Sequence, residues 1–347
     1  MTEFVQGTCE DMCPQHEIKL RTKEHLLHFF ERKQGEKNVP GIVVKSFSRS
    51  AAGIKTPRKS DLRTPRALQK TVEYLLKDIL MDKRKPLCFV YDFIFDRLRC
   101  VRQEIVMQNL DTLTTISLLE PTIMFLAYCR YRLCTEAVDN FDPAICNQHL
   151  QECLKKTLCC YDELSLQDER PFTILMTKRR SFIESLYQLF NLGSYEALQR
   201  SLKVPMNFRD PIFCTAQQMS LEMYRRNYYK VMKLMEGLPH ILAAIASLKL
   251  PVLRRELYQV FSVAYNSKNL TVPIKWLQTG FLYSDRGSVV NDCKYYGVEA
   301  QSDGESVKFS KAAFLCDRNP INAVHEGFVE EKLQKLYLPE VLLLKKF

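Results

Sequence analysis

Apolar residues recur at helical spacing through most of this chain. Leu68, Val72, Leu75, Leu76 and Ile79 fall 4, 3, 1 and 3 positions apart, one stripe of an amphipathic helix. Thr64-Pro65 supplies its start, a side-chain oxygen at the cap and proline at the first helical position. Lys83–Pro86 ends it. A second helix is predicted over 89–109, with Phe89, Phe93, Leu98, Val101 and Ile105 as its apolar positions. Further helices are predicted over 117–138, 143–161, 171–191, 194–203, 214–236 and 239–249. Pro143, Pro171, Gly193, Pro205 and Gly237–Pro239 mark the breaks between them. The joins are short, so neighbouring helices should form antiparallel hairpins in a right-handed array. No repeat of fixed period supports that array.

The ends of the chain read differently. Residues 1–60 are irregular apart from a short helix over 17–32. After Pro251 the pattern gives helices over 252–266 and 272–279. Short strand-like pieces follow at 281–284, 294–299 and 306–309. Two helices and a small ribbon are the outline of a winged helix. Residues 320–347 give a last amphipathic helix and an apolar tail. The domain reading is an extended strap (1–62), a helical-repeat domain (63–250), a winged helix (251–318) and a C-terminal helix with tail (319–347). The fold class is all-α, with a small α+β module at its end.

Composition fits this reading. Only 11 glycines are spread over 347 residues, few for a fold rich in strands and tight turns. The 13 cysteines are an odd number, and the N-terminus has an acid at Glu3 and no apolar core of a signal peptide. They are expected to be reduced, buried thiols of a nuclear or cytoplasmic protein. The longest apolar run, Ile241–Leu248, is about 8 residues, too short to span a bilayer. No membrane contact is expected.

Charge is concentrated. Lys45–Lys70 holds eight basic residues against the single acid Asp61, a net of +7 in a chain of formal charge +10. Such a strap suits phosphate contacts, with Phe47 close by. A solvated surface or an import address are the plainer readings. The candidate nucleic-acid residues are Lys45, Arg49, Lys55, Arg58, Lys59 and Arg63, with Arg254, Arg255, Lys268 and Lys275 on or near the winged helix. Lys178-Arg179-Arg180 and Arg225-Arg226 are expected at helix ends or on the outer face. Trp276 is expected in core packing rather than base stacking. Cys9, Cys13 and His16 have one zinc-like spacing but lack a second pair, so a buried loop is preferred over a metal site. Asp96-Arg97-x-Arg99-x-x-Arg102-x-Glu104 is expected to pair within its own helix, as in Asp96–Arg99 and Arg99–Glu104. Phosphate-binding loops, nucleophile elbows and zincin motifs are absent. A binding scaffold is expected, with no catalysis and no cofactor.

Several ordered blocks carry a family likeness: Gly7-Thr8-Cys9-x-x-Met12-Cys13-Pro14, Val44-Lys45-x-Phe47-Ser48-Arg49-Ser50-Ala51-Ala52-Gly53 and Asp61-Leu62-Arg63-x-Pro65. Thr71-Val72-x-Tyr74-Leu75-Leu76, Phe95-Asp96-Arg97-x-Arg99-x-x-Arg102-Gln103-Glu104, Leu166-Gln167-Asp168-Glu169-Arg170 and Asn191-Leu192-Gly193-Ser194 continue it. The chain resembles the Sac-three/GANP family over residues 7–315. The resemblance implies helical hairpins of PCI/TPR type ending in a winged helix. It implies a scaffold of nuclear mRNA export, in a transcription-and-export (TREX-type) complex. The implied partners are a PCI-fold subunit, a small acidic subunit that accompanies it, and RNA or another nucleic acid, in a hetero-oligomer. No segment resembling FG repeats precedes the first block, and about 30 residues follow the winged helix, so pore tethering through such segments is not expected. Short animal members of the family are linked to centrosome duplication and spindle assembly, the alternative role. Within the strap, Arg49 and Arg63 are the better structural candidates; Lys55, Arg58 and Lys59 are the better contacts for an acidic partner.

Overall fold

The computed structural model describes residues 4–36, 38–49, 57–166 and 172–345. Lys55 and the small residues at 50–53 lie outside them. The fold is mostly helical, with one small sheet near the C-terminus. The chain divides into two compact units, Met1–Leu126 with Val138–Pro171 and Tyr337–Phe347, and Ala127–Ala137 with Phe172–Leu336.

In the first unit, helix α1 (Gln15–Lys23) is shorter than the predicted segment over 17–32. The chain turns at His25, whose φ of 56° is left-handed, and this buries Leu27 against Cys13 and Val43. Helix α2 (Pro65–Tyr74) starts at the expected cap, where the Thr64 hydroxyl accepts the Ala67 N–H at 3.2 Å. Such a cap contributes about 1 kcal/mol. The helix winds on through a π-helical turn, Leu75–Ile79. Its predicted stripe is buried throughout. Helix α3 (Leu87–Gln108) is the spine of this unit and ends at Asn109 in the left-handed region. Helices α4 (Thr112–Arg132), whose residues from Ala127 on count with the second unit, and α5 (Pro143–Ser165) follow. By length and composition α4 is apolar enough to cross a membrane, but 72% of its most apolar window is buried in the fold. The sequence reading missed this because Glu120-Pro121 interrupts the apolar run.

In the second unit, α6 (Ile174–Phe190) packs against α7 (Tyr195–Lys203) and α8 (Pro211–Tyr224). The predicted single helix over 214–236 is two. Arg226 adopts a left-handed φ of 61° and Asn227 caps a new helix, α9 (Tyr228–Glu236). Helices α10 (His240–Ser247) and α11 (Leu250–Ala264) follow. Next come strand β1 (Val272–Pro273), helices α12 (Ile274–Gly280) and α13 (Arg286–Tyr296), and strands β2 (Glu299–Ala300) and β3 (Ser306–Lys308). The sheet is antiparallel with β3 in the middle, pairing Val272 with Val307 and Ala300 with Val307.

Two of the predicted strand pieces fail. Residues 281–284 form no strand, and 294–299 begins inside α13. Asp285 starts that helix by accepting the Ser288 N–H at 2.9 Å, and Gly297 ends it at φ 77°. The predicted last helix is α14 (Gly327–Gln334) and α15 (Leu338–Leu342), broken before Pro339.

Candidate functional site

The strap is not a loose arm where it is described. Two of the sequence blocks pair with each other: Cys9 N–H donates to Leu62 O at 3.0 Å and Thr64 N–H to Cys9 O at 2.9 Å. The approach is so close that a Cβ on Gly7 would lie 2.6 Å from Leu62 O. Helix α3 holds this pair from below. The Gln108 amide donates to Arg63 O at 3.0 Å and accepts the Gly7 N–H at 2.8 Å.

One turn back, Glu104 takes the cations. Its carboxylate accepts from Arg63 N at 2.8 Å, Arg63 Nε at 3.1 Å and Lys45 Nζ at 2.9 Å. Arg63 is 0% exposed and Glu104 1%. Burial alone would push the Glu104 carboxyl up; Arg63 and Lys45 outweigh it and hold it below the ordinary carboxylate range.

A second buried carboxylate, Glu31, ties the strap to the front half of α3. Glu31 accepts from Arg97 Nη2 at 3.1 Å, Val44 N at 3.1 Å and His28 N at 3.0 Å, and forms a very short ion pair with Arg21. Asp96 accepts the Phe47 N–H at 3.2 Å. The acid–arginine motif of α3 is thus divided: Asp96 pairs within the helix with Arg97, Arg97 and Glu104 serve the strap, and the expected Asp96–Arg99 and Arg99–Glu104 pairs do not form. Glu104 binds Arg63 and Lys45, not Arg99. The Arg99 guanidinium lies over the Phe47 ring at 4.0 Å, and Arg102 donates to Glu152 at 2.7 Å.

The predicted cations thus separate. Arg63, fully buried, and Lys45, its side chain 17% exposed, meet on one carboxylate and serve the framework. Arg49, Arg58 and Lys59 are exposed and make no ion pair among the described residues. In the second unit Arg254 is buried. It donates to both oxygens of Glu326 at 2.8 and 3.0 Å and to Phe281 O at 3.0 Å. Arg255 caps backbone carbonyls, Arg318 O at 2.9 Å and Cys316 O at 2.6 Å. The charge pattern placed both on a binding surface; their hydrogen bonds assign Arg254 to the core and most of Arg255's donors to the chain. Lys268 and Lys275 are exposed and unpaired among the described residues. Trp276, expected in the core, is 42% exposed while stacking on Tyr229 at 5.8 Å and against Phe261 at 5.7 Å.

The anchoring residues Glu31, Glu104 and Gln108 were not singled out as anchors from sequence. A buried acid carries no local mark; only its position on an apolar helix face, beside Val101 and Ile105, hints at it. Cys13 is buried and its thiol is pushed up by burial, which favours the protonated form, a poor metal ligand. No cluster of three or more His, Cys, Asp or Glu suited to a metal is found among the described residues.

Comparison with known proteins places these blocks. The SAC3/GANP family model matches residues 12–302. SAC3 family protein 1 of Schizosaccharomyces pombe is 24% identical over 362 aligned residues, taking in 97% of this chain and 34% of that protein. Protein xmas of Drosophila melanogaster is 31% identical over 169 residues, 47% of this chain and 8% of that protein. SAC3 family protein B of Arabidopsis thaliana is 32% identical over 134 residues, 38% of this chain and 8% of that protein. The chain spans about a third or less of the length of these relatives.

Proposed function

Because the chain belongs to the SAC3/GANP family, we propose that it is a non-catalytic scaffold of nuclear mRNA export, in a transcription-and-export assembly. In this reading it pairs with a PCI-fold subunit, which brings a small acidic subunit, and it contacts RNA through surface cations. The observation that carries the reading is the module from α11 to β3. Its order, helix–strand–helix–helix–strand–strand with the last strand central, supports a winged helix. Exposed Lys268 lies between α11 and β1 and exposed Lys275 on α12, and Trp276 offers accessible ring surface beside Lys275. On the strap, Arg49, Arg58 and Lys59 are the available contacts, with Lys55 between them in sequence.

The test is binding of single-stranded RNA by the chain with its PCI-fold partner, across a salt series. Log K should fall steeply with log salt. Charge reversal at Arg58 and Lys59 together should flatten the slope by about 1.4, at about 0.7 per lost phosphate contact. Binding that ignores salt ends the RNA part of the proposal. Affinity purification that returns centrosomal proteins and no PCI-fold subunit would favour the alternative, a centrosome-duplication and spindle-assembly protein with protein contacts only.

A further inference from the structure

A pocket of about 400 Å³ opens within the first unit, between the strap at Phe47, α3, α4 and α5. Its floor is apolar: Ile105, Leu119 and Cys153 are buried there. At the mouth stands Val106, an apolar side chain 73% exposed on the outer face of α3. Three cations rim the opening, Arg99, Arg102 and Lys156, against one acid, Glu152. Arg102 is already committed to Glu152 at 2.7 Å and to His149 at 2.6 Å. Arg99 and Lys156 have no carboxylate partner among the described residues. Three cations against one acid leave the rim net positive, and burial and Arg102 hold the His149 pKa down, so the imidazole adds no charge near pH 7.

We infer that this pocket docks an acidic peptide segment of a partner protein, with one large apolar side chain as its anchor. The volume is at the small end of ligand pockets, which run about 300–1,000 Å³, and accepts one or two large side chains rather than a folded surface. The apolar floor offsets the anchor's ordering cost, while unpaired Arg99 and Lys156 attract flanking Asp and Glu. A nucleic acid fits less well. The Arg99 guanidinium at 4.0 Å covers one face of Phe47, so no base stacks on that side. The Gln103 amide is spent on Ser48 O at 2.9 Å and does not read a base edge. This inference is independent of the export reading.

The experiment is fluorescence anisotropy on the full chain with a short fluorescein-labelled peptide bearing Leu and Phe among Glu and Asp. Saturable micromolar binding is expected, weakened by salt. A peptide with Lys in place of the acids should not bind. Val106→Glu and Lys156→Glu should each weaken binding about tenfold or more, the scale of an interface hot spot. Both positions are exposed, so their urea midpoints should match the parent and exclude misfolding as the cause. Absence of saturable binding overturns the inference, as does binding that survives Val106→Glu. Displacement of the peptide by oligouridylate with the same sensitivity to both variants also overturns it, and gives the pocket to nucleic acid.

Discussion

Glu104→Gln should be among the most damaging conservative changes in the first unit. The side chain keeps its size and loses its charge. Arg63 is then left with a buried guanidinium, 0% exposed, with no anion to balance it. Lys45, with a side chain 17% exposed, can partly turn to water and suffers less. A buried pair that loses one partner costs about 3–5 kcal/mol, because the surviving charge stays desolvated. The amide that replaces the carboxylate retains one acceptor oxygen for the Arg63 N–H or Nε, so the lower end, about 3 kcal/mol, is expected. Against a total stability of about 5–15 kcal/mol this is a large fraction. With a urea m-value of about 2 kcal/mol/M, the midpoint falls by about 1.5 M.

The assay is urea unfolding followed by circular dichroism, for Glu104→Gln, Arg63→Met and the double variant. Each single should be badly destabilised. The double should recover much of the loss, because a neutral pair of similar volume needs no compensating charge. A cost below about 1 kcal/mol for Glu104→Gln, or a double variant whose loss equals the sum of the singles, refutes the claim that the carboxylate clamps the strap. Acid provides a check on sign. A carboxyl held below its ordinary range stabilises the fold above that range, and the contribution is lost as pH falls through the folded value. Glu104→Gln should lack that component.

Gly7→Ala should cost about 1–3 kcal/mol in the same urea assay, since its Cβ meets the backbone carbonyls of Leu62 and Arg63 at 2.6 and 2.7 Å and neither is free to move. His28 should make the parent lose stability on acidification. Burial and Arg97 lower its pKa from 6.5 to about 4, so the unfolded chain takes up the proton first and the loss runs between those values and stops below them. His28→Phe keeps the stack on Phe93, now at 4.6 Å, and should flatten that part of the midpoint-versus-pH curve. Arg254→Lys should lower the thermal midpoint, about 2 kcal/mol by loss of the fork that reaches Glu326 and Phe281 O together, and leave the RNA salt slope unchanged.

Local signals carried far into the fold. Thr64-Pro65 is both the predicted and the observed start of α2, because cap and stripe are written within a few residues. Other boundaries had no such mark. The break between α8 and α9 rests on Arg226 at φ 61°, a conformation usually advertised by glycine, so the run over 214–236 looked continuous. Helix α13 was hidden by Lys294-Tyr295-Tyr296, which reads as strand. Asp285 at its start, Gly297 at its end and Val289, Cys293 and Tyr296 between them were the signals that spell it. The anchors were harder still. Arg63 is separated from Glu104 by 41 residues and Lys45 by 59, and nothing local tells which carboxylate a basic residue will meet. Charge was legible; burial was not.

That distinction sets what the basic strap can offer a ligand. The clustered charge suggested ten phosphate contacts across the chain. Buried or chain-bonded, Lys45, Arg63, Arg254 and Arg255 keep carboxylates and carbonyls satisfied and are not exchanged for phosphate without breaking the fold. Among the described residues, Arg49, Arg58, Lys59, Lys268 and Lys275 remain. At about 0.7 per phosphate on a single strand, ten contacts would give a salt slope near −7, and five give about −3.5. Lys55, if it joins them, moves that figure to about −4.2. A formal charge of +10 is therefore a poor guide to affinity here. A single acid of α3, Glu104, takes both Lys45 and Arg63 out of the strap's free charge.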